Sequence, residues 1–290
     1  MNIKQPTTYQ EQAVLIENKG FHIEDMDSCI SFLKQANYYR LSAYFLPFRY
    51  KNGSYFHGIM FHRIQHIYEF DSHIRSLLFQ VVEQIEFYLR TQLSYHISHK
   101  YGALGYLDNS IFSEKHDSEK FSAKLQQIIE ENIQTPVVKH HMEKYNGKFP
   151  LWVIIEFFSM GMLSYLYNDL HSEDQKAIAK DSFSTSVPCL KSWLRCITDL
   201  RNRCAHYSRL YYWIFPAIPK MPKNYTYKAD RKLFSQILML KHLYPDIKHW
   251  NNHIVTGIEA LIQEYQSDIS LKHIGFPNNW EEILTLRSIL

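Results

Sequence analysis

The sequence predicts a mainly α-helical protein, on three observations. Glycine and proline are scarce, at 9 and 10 of 290 residues, which argues against a turn-rich all-β architecture and against disorder. Hydrophobic residues make up 46% of the chain, enough for a sizeable core. Apolar residues recur three or four apart over long segments, the period of a helix with one buried face.

Asp27 reads as an N-cap opening a helix over 27–36. A short helix over 40–46 stops at Pro47. Residues 48–56 read as two short strands about Asn52 and Gly53, a hairpin signal. A long helix follows over 61–99, with Ile64, Ile67, Phe70, Ile74, Leu78, Val81, Ile85 and Leu89 on its apolar side, and Gly102 and Gly105 break it. The next helix spans 117–134, and 139–144 reads as a solvated basic turn. Pro150 opens a strongly apolar helix over 151–170, in which Ser159, Met160 and Gly161 mark a place where backbones can approach closely. Ser172 caps a brief helix to Lys180, and Ser186 with Pro188 opens the helix that carries the chemistry. Pro216, Pro219 and Pro222 make 215–227 a loop. Further helices are expected near 233–243, 253–265 and 280–289. No repeat or linker interrupts the chain, so 1–290 reads as one helical domain with the hairpin as an appendage.

Several function classes are disfavoured. Cys29, Cys189, Cys196 and Cys204 form no CxxC pair and read as reduced thiols of a cytoplasmic protein. The first twelve residues are polar, unlike a signal peptide. The most apolar stretch, 151–166, contains Glu156 and two serines and is too short to span a bilayer, so no membrane is expected. No Walker A, GxGxxG, HExxH, Cys/His zinc spacing or GxSxG is present, and neither a cofactor nor a metal is expected.

Charge is distributed unevenly. The net charge is +3, yet 191–232 holds ten lysines and arginines against two aspartates and no glutamate. A local surface for a polyanion is the expectation.

The segment 193–210 lies within this basic stretch. On a helix at about 100° per residue, Leu194, Ile197, Leu200 and Cys204 form an apolar side. Asp199, Asn202, His206 and Arg209 form a polar one. Arg201 falls about 140° from His206, so the two meet at one phosphate only through a bend or through a second copy of the chain. These residue types suit RNA cleavage. An imidazole exchanges protons near neutral pH, taking one from a 2′-hydroxyl or giving one to a leaving 5′-oxygen. A guanidinium neutralises charge building on phosphoryl oxygens. Asn202 sits one turn before His206, where an amide fixes a ring tautomer or binds phosphate. The segment after His206 interleaves rings with charge, as single-stranded RNA grooves do. Arg203, Arg209, Tyr207, Tyr211, Lys220 and Lys223 are the expected RNA contacts, with about half of the nearby rings assigned to the core.

Two further places hold candidate supports. Glu83, Glu86 and Arg90 share a helix face. The Glu86–Arg90 pair is either structural or a holder that aims Arg201 or His206. Glu156, inside a very apolar helix, calls for an arginine partner, Arg201 being the candidate.

The stretch from Leu200 to Leu210, LRNRCAHYSRL, resembles the R-N-x-C-A-H-x-x-R-L signature of Abi-like abortive-infection proteins of the AbiD/AbiF type, within the HEPN superfamily defined by R-x4–6-H. Other stretches are similar to the same family in order. They are Tyr39 to Tyr44 with Pro47-Phe48; Phe70-Asp71 with Ile74-Arg75; Glu83, Glu86, Leu89 and Arg90; and Pro150 to Trp152 with Glu156 and Ser159 to Gly161. Ala43 stands where the family has Gly, Met160 where it has Phe, and Tyr207 where a second His is common. The resemblance implies a HEPN-type helical bundle, with a core at 61–215, an N-terminal extension at 1–60 and a C-terminal helical extension at 216–290. It implies metal-free cleavage of single-stranded RNA by paired R-x4–6-H motifs in phage defence. Arg90 and His96 meet the bare spacing but lack the surrounding motif. One motif per chain therefore implies a homodimer.

The leading expectation is a metal-independent endoribonuclease of abortive infection, with His206 as acid/base, Arg201 stabilising phosphate and Asn202 positioning. The alternative is a non-cleaving RNA-binding or regulatory HEPN protein associated with a small RNA or a partner protein. A third reading is a helical protein with a partner surface and no RNA.

Overall fold

The computed structural model describes residues 3, 5–223 and 225–285, and the described chain is mainly helical. Helix α1 (Tyr9–Glu17) opens with a capping box between Thr8 and Glu11. Strand β1 (Phe21–His22) pairs in parallel with β2 (Ile59–Met60), Phe21 opposite Ile59. Between them lie α2 (Met26–Gln35), α3 (Tyr38–Ser42) and a 3-10 segment over Ala43–Phe48. The α2 cap is Asp25 rather than Asp27, its carboxylate accepting from the Asp27 and Ser28 amides. Pro47 lies inside the 3-10 segment and does not end it; the segment closes beyond it with the Arg49 amide on the Leu46 carbonyl at 3.2 Å. The expected hairpin at 48–56 is a tight turn closed by a single antiparallel bridge, Arg49 to Tyr55, rather than two strands.

Helix α4 (Phe61–Tyr101) is the axis of the fold. At 1.5 Å per residue it is about 60 Å long. Its apolar stripe is buried on the helices over Leu151–Ile154, Met160–Asp169, Val187–Ala205, Leu233–Leu243 and Thr256–Tyr265. It ends at Gly102, whose positive φ of 84° only glycine adopts without cost.

Helix α5 (Ser118–Glu131) is capped by Asp117, and α6 (Pro136–Lys144) follows. The expected basic turn at 139–144 is thus helix, and His141 is buried and stacked on Phe149. The apolar run after Pro150 is not one helix. It divides into α7 (Leu151–Ile154), a 3-10 turn (Ile155–Phe157) and, after extended Phe158, α8 (Met160–Asp169) capped by Ser159. Helix α9 (Ser172–Asp181) follows, without a side-chain cap.

Helix α10 (Val187–Ala205) carries the candidate site. Beyond the proline loop come α11 (Leu233–Leu243), α12 (Ile247–His249), a wider π turn (Trp250–Val255), α13 (Thr256–Tyr265), α14 (Leu271–Ile274) and α15 (Trp280–Leu284). The sequence expects the last to reach 289, and residues 286–289 lie outside the described residues. Helix α11 is buried along most of its length and contacts α4, α10 and α15. Helix α11 is therefore part of the core that α4 and α10 build. Among the described residues no helix is long and apolar enough to cross a membrane.

Candidate active site

Ser186 and Pro188 open α10 as the sequence indicates, the serine hydroxyl accepting from the Cys189 amide. Leu190, Leu194, Ile197, Leu200 and Cys204 bury one face. Trp193 donates its indole N–H to the Lys220 carbonyl at 2.6 Å, and the Lys220 amide donates to Ser192 Oγ at 3.0 Å. The proline loop is thereby pinned to the helix that precedes it.

The helix ends at Ala205, so the polar face does not continue to Arg209 as a straight helix would carry it. His206 is the C-cap. Tyr207 takes the left-handed conformation at φ 55°. The Ser208 amide bonds the Arg203 carbonyl at 2.8 Å and the Tyr207 amide bonds that of Cys204 at 3.2 Å, the paired closure of a Schellman turn. Glycine is the usual residue at the left-handed position, so Tyr207 needs outside support. Arg40 gives part of it by donating to the Tyr207 carbonyl. Asp71 gives the rest. Its carboxylate is fully buried and accepts from Tyr44 Oη at 2.7 Å, Arg75 Nη1 at 2.7 Å, and the amides of Leu210 at 2.9 Å and Tyr211 at 2.6 Å. Burial and the adjacent Asp71 charge push the Tyr44 phenol well above its ordinary range, so it stays a donor.

His206 and Asn202 face solvent at this helix end. Arg201 is directed inward, with its side chain about one-third exposed at 32% and its Nε 3.4 Å from Glu86 Oε2. The other oxygen of Glu86 takes Arg90 Nη2 at 2.5 Å, and Arg90 also donates to the Phe158 carbonyl at 2.8 Å. Carboxylate and guanidinium here are both mostly buried, at 9% and 11%. One chain of contacts thus runs from the break before α8 through α4 to Arg201. The Glu86–Arg90 pair is buried, and its carboxylate also contacts Arg201. His96, the other half of the bare R-x5-H spacing, is bonded to Asp174 instead, at 2.7 Å.

The remaining expected residues separate. Tyr211 is 1% exposed and bonds His273 and the Ser270 amide, so this ring is core and offers no face to a ligand. Arg209 is turned inward, donating to the Ala43 carbonyl at 2.5 Å beside the Tyr44 ring. It braces the turn and is only partly exposed. Arg203 pairs with Asp199 at 3.0 Å and lies 3.9 Å over the Trp213 ring. Tyr207, Lys220 and Lys223 are exposed. Glu156 is exposed on its 3-10 turn and forms no ion pair among the described residues. The helix break moves it out of the apolar interior, so the arginine expected for it is not needed.

The anchoring by Asp71 and Arg40 and the left-handed conformation of Tyr207 have no local sequence signature. The available signal was an aspartate inside the apolar stripe of α4 with an arginine one turn later, which in a buried position demands compensation.

Comparison with curated proteins and with solved structures gives no match. A family model described as Abi-like protein matches residues 31–212, from α2 through α10 and the turn that Asp71 holds, well over half of the 290 residues. The chain belongs to the Abi-like protein family.

Proposed function

We propose that this protein is a metal-independent endoribonuclease of the HEPN type, cleaving single-stranded RNA in the cytoplasm during abortive infection. The observation that carries the reading is the end of α10. There an inward Arg201, aimed by Glu86, stands five residues before a solvent-facing His206, with Asn202 exposed between them. A helix C-terminus carries negative partial charge and repels phosphate. Arg201, with Arg203 near it, supplies the offsetting charge. His206 is the group that moves the proton, Arg201 stabilises charge on the phosphoryl oxygens, and Asn202 positions the phosphate or the ring.

Glu86 and Arg90 act as positioning residues through Arg201. Tyr207, Lys220 and Lys223 contact RNA outside the reacting phosphate. One R-x4-H motif per chain supports a homodimer in which two α10 ends share one cleft.

The test is cleavage of total cellular RNA in EDTA by wild type, His206→Ala and Arg201→Ala, with mass in solution recorded. The expected result is EDTA-resistant cleavage by a dimer that falls at least 100-fold in either variant, while RNA binding persists. Equal cleavage by wild type and His206→Ala overturns the assignment of the histidine. Binding without cleavage by any of the three favours the non-cleaving RNA-binding reading instead.

A further inference from the structure

A groove of about 620 Å³ runs between α5 and α8. Its lining is basic and aromatic, and it opens beside the network that holds Arg201. We propose that this groove is the track along which the single-stranded RNA substrate lies. The inference rests on the RNA reading above and adds to it a binding site away from the α10 end.

Its direction follows from contacts. Helix α8 runs antiparallel along α10, because Gly161 lies beside Thr198 while Asp169 is near Lys191. At the Ser159 end, the Phe158 carbonyl takes Arg90, the partner of Glu86. This end of the groove therefore adjoins the Arg90–Glu86–Arg201 chain. At the far end, the Ser113 amide bonds the Asp169 carbonyl at 2.7 Å and His116 bonds its carboxylate at 3.0 Å. Lys115 stands there near Lys191 of α10, whose ammonium pKa is lowered by burial and then by the Lys115 charge.

The charge suits a phosphate backbone. Lys115, Lys120 and Lys124 line one wall in sequence. Lys115 and Lys124 form no ion pair among the described residues. Lys120 pairs with Asp117 on the open surface, its side chain 87% exposed, and such a pair is readily exchanged for a phosphate. Asp169, the other acid of the groove, is engaged by His116.

The aromatic content selects nucleic acid over an acidic peptide. Tyr165 projects from α8 into the groove with 72% of its surface exposed, and Phe121 and Met162 form apolar lining beside it. An exposed ring flanked by ammonium groups is a stacking platform for a base, and stacking tolerates any sequence. From Gly161 to Asp169 the wall of α8 extends about 12 Å, room for a short run of nucleotides.

The test uses the full chain with His206→Ala, so that RNA stays intact. Fluorescence anisotropy follows a labelled oligouridylate across a salt series. It compares this parent with Lys115→Ala/Lys120→Ala/Lys124→Ala and with Tyr165→Ala, and thermal melting checks the fold of each. The triple variant is expected to bind at least tenfold more weakly, with the slope of log affinity against log salt reduced by about 2, from about 0.7 per lost contact. Tyr165→Ala is expected to weaken binding about tenfold with an unchanged slope.

Parent-like binding by both variants, with weakening on Lys220→Ala/Lys223→Ala, overturns the track and leaves the RNA reading standing. Polyglutamate bound as tightly as oligouridylate, with no effect of Tyr165→Ala, overturns the RNA assignment in favour of an acidic polypeptide. A parent that binds no RNA at low salt overturns both the track and the reading beneath it.

Discussion

At Asp71 a carboxylate shut off from solvent accepts four hydrogen bonds, two of them from the amides just beyond the candidate catalytic histidine. Removing its charge leaves Arg75, 5% exposed, as an unpaired cation in the core. Asp71→Asn is expected to lower unfolding stability by about 3 kcal/mol or more, read as a drop in urea midpoint. Cleavage should fall with it, since the turn at 206–211 loses its anchor. A midpoint unchanged within 0.5 kcal/mol, a rough limit for a surface change, is the outcome against this role.

His242 makes a different prediction. It stacks on Trp193 at 5.3 Å between centroids, and burial, with the adjacent Lys241 charge, pushes its pKa down from 6.5 to about 4. The sign follows from which state binds the proton first. The unfolded chain protonates His242 near 6.5, while the folded chain resists until about 4. Its contribution is therefore intact above pH 6.5 and is lost as pH falls toward 4. Its size is about 3 kcal/mol at most, from roughly 1.4 kcal/mol per unit. His242→Phe keeps the stacking and removes the titration. The slope of stability against pH over that window should flatten relative to wild type, and an unchanged slope would assign the acid sensitivity elsewhere.

At the scale of elements, the break between α7 and α8 decides more than any helix start. Phe158 is extended, its carbonyl is free of helical pairing, and Arg90 takes it. Ser159 then caps a new helix with its hydroxyl on the Met162 amide at 3.3 Å. A continuous helix over 151–170 would have hidden that carbonyl and buried Glu156. The sequence singles out Gly161 as a close-approach point, yet a methyl group there meets Ser159 Oγ at 3.8 Å and Thr198 Cγ2 at 3.9 Å, ordinary contacts. Gly161→Ala is thus expected to be neutral or to stabilise by up to about 1 kcal/mol, since alanine has the higher helix propensity. A loss above about 1 kcal/mol in thermal or urea unfolding would falsify the packing described at this crossing.

At the scale of the whole molecule, the segment from α11 onward closes the core. Leu233, Phe234, Ile237, Leu238, Met239 and Leu240 are all fully buried. The Lys241 ammonium, its pKa lowered by burial to about 8, donates to the Ile283 carbonyl at 2.6 Å, and Trp250 donates to that of Leu284 at 2.9 Å. Residues outside the matched family segment therefore hold α10 from behind. A chain ending at residue 232 is expected to keep helical content yet lose cooperative unfolding and bind a hydrophobic dye, as poorly packed states do. A sharp, dye-free transition in that fragment would show instead that 1–232 is self-sufficient.

The sequence alone determined the helical class, the long axis of α4, the start of α10 and the motif on it. These rest on local physics: a 3.6-residue apolar period, a serine cap, a proline in the first turn. It also placed Glu86 and Arg90 on one face. Only the tertiary structure decided which neighbours those faces meet. The Schellman turn after α10 is set by Arg40 and Asp71, 167 and 139 residues away in sequence from their partners, and no local propensity would put a tyrosine in the left-handed region. The short strands at Phe21 and Ile59 are likewise two residues each, too brief to leave a period. Tyr211 and Arg209 share the exposed tyrosines' and arginines' local pattern. They differ from Tyr207 and Lys220 because a buried carboxylate folds the chain back over them, an event governed by desolvation and long-range pairing rather than by sequence spacing.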